Sequence, residues 1–196
     1  QAVVVHATRT RTLDVALRWL TSPVSRASGH LVIGLGGEVV QLAPLTDRTS
    51  HAGGATWRGR PANPISVGVW LVGPGLLVPR RERLVDAWDR VWDGLAVVRR
   101  SSLYPELRAE LARRAAPADG EFVDLTWSRL PEAQVASLAW ALELLEATCP
   151  GLLVADAMPG EAPRLCSDDA LGSPAQVGIG PALPADRLGA SRVVAK

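Results

Sequence analysis

Ser28-Gly-His-Leu-Val-Ile-Gly-Leu-Gly-Gly-Glu-Val-Val-Gln-Leu42 is the stretch on which the fold turns. Within it, His30–Ile33 and Glu38–Leu42 are short β-rich runs. Gly34-Leu-Gly-Gly37 lies between them and supplies residues that tolerate the positive φ angles of a hairpin turn, so an antiparallel pair is expected. Upstream, Ala2–Val5 is apolar, β-branched and ends on His6, which predicts a buried strand carrying a histidine to its mouth. Leu13, Ala16, Leu17 and Leu20 recur at helical spacing before Pro23, predicting an amphipathic helix over residues 12–21. Downstream, Ile65–Val72 is β-branched and bounded by Pro64 and Gly73-Pro-Gly75, as a central strand would be. The intervening residues 43–64 are rich in Gly, Thr, Arg and Pro and read as a long surface loop, where sites tend to lie.

Composition sets the outer limits. A chain of 196 residues with 47% hydrophobic and 21% charged side chains is long and apolar enough for one packed core. Twenty-one basic against 20 acidic residues leave a formal charge of +1, which offers no global field for a nucleic acid or an anionic membrane. The longest apolar run, Val135–Leu145, contains Ser137 and Glu143 and falls short of the roughly 18 residues a membrane span needs. Gln1 in first position fits a removed signal peptide or a domain cut from a longer chain, so the compartment stays open between periplasmic or secreted and cytoplasmic. Cys149 and Cys166 are too few for a disulfide framework and read as free thiols or as one bridge.

From Pro79 to about Gly120 the composition shifts to Arg, Trp and Glu. Leu84, Trp88, Val91, Trp92 and Leu95 form one helical stripe and Leu103–Arg114 a second candidate helix, so residues 79–120 are expected to be a helical insertion over the main sheet. Gln134–Ala147 reads as a helix with Val135, Leu138, Leu142 and Leu145 on one face, Pro131 suited to its first turn and Pro150-Gly151 ending it. Gly151–Ala155 reads as a strand. Beyond Met158 little periodicity remains, and there is no internal repeat.

Four segments, in order, resemble the type 2 N-acetylmuramoyl-L-alanine amidases and peptidoglycan recognition proteins. Val3-Val-Val-His6 is similar to the family's first strand and first zinc-ligand histidine. Ser28-Gly-His-Leu-Val-Ile33 with Gly36-Gly-Glu38 and Val40-Gln-Leu42 resembles its hairpin. His51-Ala-Gly53, Trp57, Gly59, Asn63 and Ser66-Val-Gly68 resemble its spaced loop and central strand, and Leu130-Pro-Glu-Ala-Gln134 its last long helix. The resemblance implies one α/β domain over residues 1–196, a central mixed β-sheet flanked by helices, with the helical insertion added. It also implies a zinc-dependent hydrolase acting on the muramyl-peptide amide of peptidoglycan, since such a site uses three protein ligands and an open position for activated water.

At that threshold the sequence departs from the family. Of its three histidines, His30 and His51 match family residues that do not ligate zinc, which leaves His6. Matching Leu153-Val-Ala-Asp156 to the family's strand puts Asp156 at the second ligand, Arg164 at the neighbouring lysine that faces the oxyanion, and Cys166 at the third ligand. Matching from the far end through Gly180-Pro-Ala-Leu-Pro184 and Asp186-Arg-Leu188 instead puts Gly178 at the last ligand and residues 166–169 near the second. Where the family carries a tyrosine or a glutamate for proton transfer, this chain has Gly29 and Trp70, neither of which is a general acid or base. His51, Trp57, Asn63 and Trp70 are the expected substrate-binding residues, with Trp70 alternatively plugging the cavity. His30 reads as a structural histidine paired inside the hairpin. Two functions follow: a zinc amidase with His6, Asp156 and Cys166 on the metal, or a non-catalytic relative that binds peptidoglycan fragments or offers the insertion to a protein partner.

Overall fold

The structure, a computed structural model, describes residues 2–53, 56–57, 60–80, 83–86, 90–92, 97–99, 126–149 and 194–195. Strand β1 (Ala2–Ala7) runs parallel to β6 (Ser66–Leu71), which in turn runs parallel to β2 (Leu31–Ile33). Strand β3 (Val39–Gln41) closes the expected hairpin antiparallel to β2, and β11 (Val194–Ala195) adds a parallel edge beside β1. The order is β11-β1-β6-β2-β3, a mixed sheet with the Ile65–Val72 run at its centre, as the β-branched composition required. All six residues of β6 are buried.

Alternation along the strands divides the sheet into two faces. Val3, Val5, Ala7, Ile33, Val67, Val69 and Leu71 pack against Val135, Leu138, Ala141 and Leu145 of helix α2 (Glu132–Thr148). Val32, Trp70 and Val72, on the opposite face, pack against Ala16 and Leu20 of helix α1 (Leu13–Leu20). Thr12 caps α1 by accepting the Val15 N–H, and the Thr21 hydroxyl donates to the Leu17 carbonyl at its other end. Among the described residues no helix is long and apolar enough to cross a membrane.

In the region expected to be a helical insertion, the described residues carry strands and no helix. Strand β7 (Leu76–Arg80) pairs antiparallel with β8 (Arg83–Val85), and β10 (Thr126–Ser128) joins β7 to β9 (Val97–Arg99) in the order β8-β7-β10-β9. The stripe through Leu84, Val91 and Trp92 misled because a hairpin folds those residues back on one another: Val85 bridges Val91, and the Trp92 N–H donates to the Leu84 carbonyl. Asp86 makes that turn. Its Oδ1 accepts the Arg90 N–H and its own N–H donates to the Arg90 carbonyl, an arrangement that competes with helix. Trp88, Leu95, the candidate helix 103–114 and the expected strand 151–155 lie outside the described residues. Within 43–64 the loop carries a two-stranded ladder, β4 (Thr56–Trp57) with β5 (Arg60–Pro61), and a 3-10 turn (Asn63–Ile65).

Gln134 joins helix to sheet. Wholly buried on α2, it donates from Nε2 to the Ile33 and Val72 carbonyls at 3.0 Å each, holding the C-terminal ends of β2 and β6 together. Beside it the Ser137 hydroxyl donates to the carbonyl of Gly37, the positive-φ residue of the hairpin turn. Gln134→Ala should therefore cost about 2–4 kcal/mol, the sum of a buried truncation and a stranded strand-end carbonyl. Urea unfolding checks this, and an unchanged midpoint would show that the anchor is dispensable.

Candidate functional site

The parallel register of β1 and β6 sets His6 directly beside Trp70. Both are buried, and their rings stack with centroids 4.5 Å apart and 26° between planes. The indole is held from two further sides: its Nε1–H donates to the Ser28 carbonyl at 3.1 Å, and Trp19 of α1 meets it edge-on at 5.3 Å. His6 lies next to the C-terminal end of a parallel strand, the end at which ligands collect in open α/β sheets.

Two more histidines share this face, and the hydrogen bonds assign their protons. His30 Nδ1 accepts the Gly68 N–H at 2.9 Å, so Nε2 carries the proton and donates it to the Asp47 carbonyl at 2.9 Å. His51 is set by Ser66, whose hydroxyl proton goes to the Ala62 carbonyl at 2.6 Å. Ser66 Oγ must then accept from His51 Nε2–H at 2.9 Å, while His51 Nδ1 is hydrogen-bonded to the Thr49 hydroxyl at 2.8 Å. His30 is thus neutral, each ring nitrogen of both histidines is engaged by the protein, and neither presents a lone pair to a metal. The same chain keeps Ser66 an acceptor from His51, the wrong polarity for a serine nucleophile activated by a histidine base.

Burial holds the His30 pKa below the ordinary histidine value, against a smaller upward pull from Asp47. The sign follows: below the unfolded value of 6.5, unfolded His30 takes up a proton that folded His30 resists, so stability is lost as the pH falls through that range. Urea midpoints should drop between pH 7 and pH 5, which lie about either side of that value. His30→Asn keeps an acceptor for the Gly68 N–H but does not titrate, so it should flatten the slope; an unaltered slope would remove His30 as its source.

Asn63 organises the loop over this face. Its Oδ1 accepts the N–H groups of His51 at 3.0 Å and Ala52 at 2.7 Å, and its Nδ2 donates to the Gly53 carbonyl. Gly68 lets His51 lie flat on the central strand, since a Cβ there would fall 2.4 Å from the imidazole. Trp57 sits in the β4–β5 ladder. Asp156, Arg164, Cys166 and the alternative Gly178 lie outside the described residues, so the structure brings His6, Trp70 and His51 together and leaves the other expected ligands unplaced. Cys149, at the end of α2, carries a free thiol. Among the described residues no group of three His, Cys, Asp or Glu could hold a metal ion. These residues alone therefore do not make a zinc site, the ring nitrogens of His30 and His51 being committed to hydrogen bonds within the protein.

Gly29 and Trp70 prove to be one feature. A Cβ at residue 29 would lie 2.3 Å from Trp70 Cδ1 and 2.4 Å from Nε1, so the indole fills the space that a side chain at 29 would need. Gly29→Ala should cost about 1–3 kcal/mol by overpacking. In Gly29→Ala/Trp70→Val most of that penalty should disappear, and a cycle with no coupling in thermal or urea unfolding would count against the reading.

Three residues past His6, Arg9 adopts a left-handed backbone (φ 56) and is buried. Arg90 Nη2 donates to the Arg9 carbonyl at 2.7 Å and Arg90 Nε to Asp86 Oδ2 at 2.6 Å; Trp92 Nε1 donates to the same carboxylate oxygen at 3.0 Å. Burial pulls the Arg9 pKa down to about 10, with Asp86 opposing that shift and Arg90 adding to it. Arg11 covers the Trp92 ring at 4.6 Å and donates to the Val91 carbonyl. This cluster ties the end of the His6 strand to the second sheet. Sequence reading missed it, together with Thr49 and Trp19. Trp19 alone left a signal, an indole on the polar side of α1 next to Arg18.

Residues 1–149 match the family described as N-acetylmuramoyl-L-alanine amidase, three-quarters of the chain. The chain belongs to that family. Its fold is similar to that of a selenomethionine derivative of AmpD, with TM-score 0.50 and 18% identity over 97% of this chain and 83% of the other. The N-acetylmuramyl-L-alanine amidase AmiD from E. coli, solved with anhydro-N-acetylmuramic acid-L-Ala-D-gamma-Glu-L-Lys as substrate, matches with TM-score 0.47 and 18% identity over 76% of this chain and 43% of AmiD. AmpDh3 from Pseudomonas aeruginosa, in complex with anhydromuramic pentapeptide, gives TM-score 0.48 and 17% identity over 78% of this chain and 47% of AmpDh3. The amidase-family chain therefore spans less than half the length of AmiD and AmpDh3. No curated protein sequence matches it.

Proposed function

We propose that this amidase-family chain binds muramyl-peptide fragments of peptidoglycan on the sheet face that carries His6 and Trp70, without cleaving them. The His6–Trp70 stack carries the reading. An indole replaces the carboxylate that the family resemblance puts at that position, and Gly29 replaces the tyrosine, so the groups that would move protons at an amide are exchanged for one apolar plug. The ligand class comes from the family matched over residues 1–149 and from the muramyl-peptides bound by AmiD and AmpDh3.

A second reading is favoured by the position of His6. Stacking covers the ring face, whereas a metal-binding lone pair lies in the ring plane, so the indole leaves ligation by His6 geometrically open. In that reading His6, Asp156 and Cys166 hold zinc, which supplies a Lewis acid for amide hydrolysis, with Arg164 facing the oxyanion.

Calorimetric titration with N-acetylmuramyl-L-alanyl-D-isoglutamine, with the mixture assayed for released peptide and the protein for zinc, separates the two. Binding with no released peptide is expected. Peptide release that disappears in His6→Ala, with about one zinc per chain lost in Cys166→Ala, would decide for the hydrolase.

A further inference from the structure

A line of three aromatic rings leads from the interior of this face to the surface. His6 is 5% exposed and Trp70 6%, whereas Trp19 is 38% exposed. Consecutive centroids are 4.5 and 5.3 Å apart, so the Trp19 indole lies no more than about 10 Å from the His6 ring. Trp70 cannot itself serve as a platform for a ligand, because His6 covers one face, Trp19 packs edge-on against it, and its N–H is committed to the Ser28 carbonyl. A molecule that approaches this face meets Trp19 first.

Trp19 is also well supported. Its helix is anchored by the buried side chains of Ala16 and Leu20, capped at both ends, and stiffened by the Arg18–Asp14 ion pair. One turn earlier Val15, 44% exposed, extends the apolar surface. The amphipathic pattern of α1 calls for polar residues at both positions. An indole kept half-exposed on a rigid element has little ordering entropy left to lose when a flat apolar ligand face settles on it.

We propose that Trp19 is the sugar-stacking residue of this chain, its exposed indole receiving the apolar face of the muramic acid ring. This rests on the muramyl-peptide reading above and deepens it: recognition then depends on the sugar and not on the peptide alone. The distances suit the ligand, since a single lactyl ether arm separates the pyranose ring from the first peptide amide. The sugar on Trp19 would bring that amide to the edge of the face beside the Trp70–His6 pair.

The test compares N-acetylmuramyl-L-alanyl-D-isoglutamine with the sugar-free L-alanyl-D-isoglutamine by calorimetry on the wild type, Trp19→Ala and Trp19→Phe, each checked for an unchanged thermal midpoint. The wild type should bind the glycosylated ligand about ten-fold more tightly, Trp19→Ala should erase that preference, and Trp19→Phe should retain most of it. A preference that survives in Trp19→Ala overturns the assignment. Equal affinity of the wild type for both ligands overturns sugar stacking while the peptide-binding reading stands, and binding of neither overturns both.

Discussion

The parallel pairing of β1 with β6, with Val3 opposite Val67 and His6 opposite Trp70, is the constraint on which the rest of the structure depends. Because side chains alternate, that one register sends Val3, Val5, Val67, Val69 and Leu71 to α2 and sends His6 and Trp70 to the other side. A slip by one residue would turn His6 toward α2 and the valines toward the α1 face. The same register puts Gly68 under His51 and Ser66 within reach of its Nε2, so the loop can seat only on this alignment.

The polar groups of that face are mostly satisfied by one another. Thr49 and Ser66 take the two nitrogens of His51, Gly68 and Asp47 those of His30, and Asn63 pins the loop that delivers His51. Such a set favours a single arrangement, because each of these ring nitrogens has a partner, and burial opposes charging His30. The Trp70 indole likewise occupies the space that a side chain at residue 29 would need.

Belonging to the amidase family does not by itself settle what a chain does, because activity lives in the site and not in the scaffold. Here the family match runs over residues 1–149, which include the first strand, the hairpin, the central strand and the last long helix. The second sheet is bound to the end of β1 by Asp86, Arg90 and the left-handed Arg9, so the strand that bears His6 is also held at its end.

Read alone, the sequence determined the elements whose signal is local: the β-branched runs that became β1 and β6, the glycine-rich hairpin turn, the periodicity of α1 and α2, and through their order the family itself. It also marked Gly29 and Trp70 as departures. Tertiary structure decided what depends on residues distant in the chain. It showed Gly29 and Trp70 to be one packing solution, assigned the protons of His30 and His51 through Thr49, Ser66 and a backbone amide, and turned a supposed helical stripe at Leu84 and Trp92 into the two arms of a hairpin. The i to i+4 spacing that suggests a helix arises equally when a carboxylate such as Asp86 closes a turn, and only the pairing of the flanking strands separates the two. Trp19 belongs to the same class. A tryptophan on a polar helix face is an isolated oddity in the sequence, and it gains meaning from Trp70, 51 positions away in the numbering, because the sheet brings that ring up beneath it.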